Sequence, residues 1–138
     1  MPRIFVFAFA LLTLCAASAL AEDKMPNLLG DWNITFSEFH VKTQGYLNKG
    51  TTGVMNISKQ RGRIIQGTIK WVVNGTPHSG SSRFSGVIAK DNKTAYIAAH
   101  NGSIRILNIE GPNTLSMYVL HPGGDKPASG YVEFERMK

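Results

Sequence analysis

The side chains of this sequence best suited to move a proton or hold a metal near neutral pH are its four histidines, His40, His78, His100 and His121. No two of them stand at the spacing of a recognised metal motif, and ligation needs three or four converging groups, so no metal is expected. His100 with Tyr118 and Glu133 offers the makings of an acid/base group, but such catalysis requires hydrogen-bond geometry that a sequence does not display. A nucleophilic serine has no Gly-x-Ser-x-Gly motif to present it. No catalytic residue and no cofactor is therefore assigned. The only cysteine is Cys15.

The chemistry that remains is recognition by aromatic side chains. Trp71, Phe84, Tyr96 and Tyr118 are the expected lining of an apolar pocket, with the tyrosine hydroxyls orienting a small molecule. Gly53, Gly67 and Gly86 share faces with Met55, Trp71 and Phe84, and Ala95, Ala98 and Ala99 add further small residues. Such a mix leaves room for a ligand. The competing reading is that the glycines merely admit their bulky neighbours and the core is solid.

The elements that must position these residues are preceded by a basic Arg3, an apolar run from Ile4 to Leu14 and small residues ending in Ala19-Leu20-Ala21. This is the pattern of a secretory signal peptide, residues 1–21, with an apolar part shorter than the ~20 residues of a membrane span. A bulky Leu14 before Cys15 argues against lipid attachment there. Cleavage leaves 117 residues, enough for a single domain over 22–138. It also removes the cysteine, and a cysteine-free exported chain is best explained as a bacterial periplasmic product.

With Arg3 gone the net charge falls from +6 to +5. Lys59, Arg61, Arg63 and Lys70 make its densest part, with only Trp71 beside them. A nucleic-acid reader interleaves basic residues with several aromatics, so nucleic acid is not an expected partner. Weak contact with an anionic membrane surface fits such a face better.

Eight short runs of alternating residues, joined by turn signals such as Asn74-Gly75 and Asn101-Gly102, predict an all-β antiparallel meander. The expected strands cover about 28–36, 51–59, 63–73, 81–89, 94–100, 103–109, 114–121 and 129–137. In the first, alternation from Trp32 places Ile34 and Phe36 on the inner face. In the sixth, Ile104 and Ile106 oppose Arg105. In the last, Val132, Phe134 and Arg136 oppose Tyr131, Glu133 and Glu135. Residues 37–50 read as an irregular connection, a candidate lid. A sheet this long exposes aggregation-prone edges unless it closes, and eight strands close into an up-and-down β-barrel. A β-sandwich is the runner-up.

Gly30-Asp31-Trp32 at the head of strand one, together with the strand count, resembles the calycin superfamily, which includes the lipocalins, fatty-acid-binding proteins and avidins. The resemblance implies that a basic residue near the last strand packs across the tryptophan and closes the barrel floor, which here is Arg136 over Trp32. It departs from lipocalins in stopping directly after strand eight, and from avidins in having only Trp32 and Trp71. What it implies for function is a non-enzymatic binding protein holding a small, largely apolar ligand in or at the mouth of the barrel. The alternative is a protein-interaction module, an inhibitor or envelope-assembly factor, using the 37–50 loop or the basic 59–70 face. A barrel enzyme built on His100 or His121 ranks third.

Overall fold

The computed structural model describes residues 24–42, 44–47, 50–123 and 127–138, so the expected signal peptide falls outside the described residues. Nine strands follow one another: β1 (Gly30–Val41), β2 (Gly45–Leu47), β3 (Thr51–Arg61), β4 (Ile64–Val73), β5 (Ser79–Ile88), β6 (Thr94–Ala99), β7 (Ile104–Ile109), β8 (Thr114–His121) and β9 (Ala128–Arg136). Each pairs antiparallel with its neighbour from β3 to β9, and β9 returns to β1, so eight strands close an up-and-down barrel. Closure leaves the long sheet without a free edge along most of its length, as the edge argument requires. β2 is the extra strand, paired only with the upper end of β1.

β1 differs from its sequence reading. Ile34 pairs with Phe134 but Phe36 pairs with Glu133, so Thr35 is an extra residue in a β-bulge. The bulge reverses the facing of everything after it. Phe36 turns outward and is 44% exposed, while Ser37 is buried and Phe39 packs against the core. The physical reason is visible in the residues themselves: unbroken alternation would send Glu38 and His40 inward, whereas the shift places Phe39 and Val41 there instead. Within the segment expected as an irregular 37–50 connection, β1 runs on to Val41 against β9 and β2 folds back on it.

The barrel is sealed at one end. Residues 24–29 cross it beneath the indole of Trp32, which is fully buried and donates from Nε1 to the Leu28 carbonyl at 3.0 Å. Gln60 holds the same segment, donating to the Pro26 carbonyl at 2.8 Å and accepting from the Leu28 amide at 2.9 Å. Arg136 lies opposite Trp32 in the β1–β9 register, its guanidinium carbon 4.1 Å from the indole centroid. It donates to the carbonyls of Leu29 (2.6 Å), Asn27 (2.7 Å) and Pro112 (3.1 Å). One side chain thus ties the first strand, the lead before it and the β7–β8 turn together. Above this floor Met55, Ile65, Ile88, Leu107, Leu115 and Phe134 fill the lower half of the barrel with side chains.

Arg136→Ala removes the cation–π contact and three hydrogen bonds together. It is expected to lower unfolding stability by about 1–3 kcal/mol, read as a lower urea midpoint at unchanged slope.

Candidate functional site

The upper half of the barrel is not filled. A cavity of about 270 Å³ opens there, walled by the far ends of β1, β3, β4, β7, β8 and β9 and by Leu47 of β2. Its walls are apolar for the most part: Ile34, Phe39, Ile69, Trp71, Met117 and Val119 among them. Glycines opposite two of the aromatics let the rings lie flat on the sheet. A Cβ at Gly80 would meet the Trp71 indole, and one at Gly130 would meet the Phe39 ring. The space therefore exists because two large rings lie along the wall instead of crossing the lumen.

Gly67 and Gly86 act differently. A Cβ at Gly67 would lie 2.7 Å from the Phe84 ring and one at Gly86 would lie 2.8 Å from Ile97. These two glycines admit bulky neighbours into solid core and leave no room of their own. Ala98 faces outward, in contrast to Ala95 and Ala99.

One cation stands in this apolar space. Arg105 is 4% exposed, and the inner face of β7 is the one carrying Arg105 and Leu107, while Ile104 is 52% exposed outside. Its Nε donates to Ser103 Oγ at 3.3 Å, and the Ser103 hydroxyl donates in turn to Asn101 Oδ1 at 2.7 Å. That chain fixes the guanidinium at one nitrogen. Nη1 is buried with no hydrogen-bond partner, and so is Nδ1 of His121. Both residues line the cavity. In the β7–β8 register Val119 lies directly opposite Arg105, with His121 two residues further along the same face.

Burial lowers the Arg105 pKa from the usual arginine range to about 10, with no carboxylate contributing. The group therefore remains charged at neutral pH. An unpaired buried charge is costly, since neither water nor a counter-ion repays its lost hydration.

The structure brings together few of the residues singled out from the sequence. Trp71 lines the cavity. Phe84 is buried but pairs with Gly67, one step further toward the sealed end than the Ile69–Ser82 pair at the cavity. Tyr96 and Tyr118 lie on the outer surface, 53% and 48% exposed, because their strands alternate with Ala95 and Met117 inside. Tyr118 belongs instead to a shallow outer groove with Phe36, Tyr46, Leu120 and Tyr131. Its ring centroid is 5.4 Å from that of Tyr131, which is 6.3 Å from Phe36.

Glu133 faces outward, where it accepts from the Tyr131 hydroxyl at 3.0 Å. His100 sits exposed at the β6–β7 turn, and no hydrogen bond among the described residues joins it to Tyr118 or Glu133. Among the described residues no three His, Cys, Asp or Glu side chains converge on a metal position. Of the basic face, Arg63 is committed to the β5–β6 turn, where it donates to Asn92 Oδ1 at 2.9 Å. Lys59, Arg61 and Lys70 stay exposed.

No family model and no curated protein matches this sequence. Solved structures do. The S-type phycobiliprotein lyase CPES of Guillardia theta superposes with a TM-score of 0.55 at 9% identity, covering 80% of this chain and 89% of the lyase. The likeness is in the closed eight-stranded antiparallel barrel, the architecture expected of a calycin-like fold. A de novo designed fluorescence-activating β-barrel matches with a TM-score of 0.51 at 15% identity, covering 85% of this chain and 97% of the design. At these identities the likeness is one of fold alone.

Arg105→Met keeps the length of the side chain and removes its charge. The empty protein is expected to gain about 1–3 kcal/mol of stability, measured as a higher melting temperature in ligand-free protein.

Proposed function

We propose that this protein is an exported, non-enzymatic barrel that holds a small, largely apolar molecule in the open half of its lumen. The observation that carries the reading is the cavity itself, apolar-walled and continuous with one end of a barrel whose other end is plugged. A domain needing only stability would fill that half, because unfilled volume forfeits packing energy. The export signal at residues 1–21 and the cysteine-free mature chain support action in a bacterial periplasm. That its fold neighbours include a lyase and a fluorescence-activating design is compatible with a barrel used as a container.

Native mass spectrometry of protein isolated from its own compartment is expected to record a bound small molecule that is lost on denaturation. Val119→Trp, which fills the cavity, abolishes the adduct, whereas Tyr118→Ala on the outer wall leaves it. Bare polypeptide in every preparation, with no thermal shift across apolar ligand panels, would overturn the reading.

A second reading, a protein-interaction module, is favoured by the outer groove, where Tyr46 is 78% exposed beside Phe36, Tyr118 and Leu120. In that case cross-linking in intact cells traps one dominant partner through 36–47, and Tyr46→Ser removes the cross-link. Diffuse products would count against it.

A further inference from the structure

We infer that the occupant of the cavity is an amphiphilic anion, its apolar body against Trp71 and Phe39 and its oxyanion head bound by Arg105, with His121 as a second contact. The inference rests on the container reading and adds the class of molecule contained. A charge at 4% exposure is rare unless paired, and here Nη1 of a cavity-lining arginine is buried without a hydrogen-bond partner among the described residues. The Nε hydrogen bond to Ser103 holds the guanidinium plane in place, so little rotamer freedom is left to lose on binding. His121 Nδ1, the other buried unpartnered atom of the cavity, stands on the adjoining strand along the same face.

Two unsatisfied polar atoms on neighbouring strands, in a wall apolar for the most part, are the arrangement that fixes the orientation of one polar head. A guanidinium donates in a fork matched to carboxylate, sulfate or phosphate oxygens and accepts nothing, which sets the sign of the head. A neutral apolar molecule would leave the cation buried and unpaired. A cationic amphiphile would add repulsion to that cost. The volume of about 270 Å³ lies at the small end of ligand cavities, which run from about 300 Å³ upward, so a compact body suits it.

The experiment compares ligands that differ only in their heads. Decanoate, decyl sulfate, decanol and decylamine are titrated against the full mature protein by isothermal calorimetry, then against Arg105→Met and Arg105→Lys. Decanoate or decyl sulfate is expected to bind roughly tenfold to a hundredfold more tightly than decanol, in line with a charge-assisted hydrogen bond. Whichever of the two binds more tightly names the head group. Arg105→Met erases the preference while decanol affinity is kept or improved, and Arg105→Lys keeps part of it. Retained decanol binding shows that the variant is folded and its cavity open.

If decanol matches or exceeds both anions in the unmodified protein, or if Arg105→Met keeps the anion preference, the anion inference is overturned and the container reading stands. If none of the four binds, the container reading falls and the inference with it.

Discussion

Everything in this molecule depends on β9 coming back to pair with β1. Once Trp32 is set opposite Arg136 in that register, the indole is enclosed, the guanidinium lies across it, and the lead before β1 is drawn over the end of the cylinder by two of its carbonyls on Arg136 and by Gln60. Without that pairing the sheet would keep two long edges and its inner face would be wet. The closed floor also gives the barrel polarity: one end is finished by packing, and the other is left with a lumen.

The two halves divide labour. The lower half concentrates Trp32, Phe134, Leu107, Leu115 and the isoleucines, all nearly or fully buried, and supplies the stability of the domain. The upper half departs from good packing in two ways at once, by holding empty volume and by enclosing a cation that meets no counter-charge among the described residues. Either departure alone weakens a small domain. Their coincidence in one place, on the same inner face of neighbouring strands, is what the proposed ligand would offset on binding.

The bulge at Thr35 links the halves. Below it β1 contributes Trp32 and Ile34 to the solid core; above it the same strand contributes Phe39 and Val41 to the cavity wall and turns Phe36 into an outer aromatic cluster. It also marks the change of neighbour along the far edge of β1, from β3 beside Gly30–Asn33 to β2 beside Phe39–Val41. Between them the Ser37 hydroxyl accepts from the Thr51 amide at 2.7 Å and from its hydroxyl at 2.9 Å, bridging the point where β3 leaves the strand.

The eight barrel strands, their turns and the closure of the sheet were legible in the residues, because period-two alternation and Asn-Gly or Gly-Pro punctuation are local signals, whereas the Trp32–Arg136 contact came from the resemblance to calycins and β2 went unforeseen. Even the bulge leaves a trace, in the shift of apolar residues from even positions at Trp32 and Ile34 to odd ones at Phe39 and Val41. What chain order withheld was the facing of strands whose two sides are equally apolar. In Ser103-Ile104-Arg105-Ile106-Leu107 either parity buries hydrophobic residues, and Tyr96 and Tyr118 alternate with residues just as suited to a core. Only the register handed across the whole cylinder, Ile97 against Arg105 and Arg105 against Val119, decides that the arginine goes inside and the tyrosines out. Local chemistry set the strands, and closure of the sheet chose which of their faces would meet.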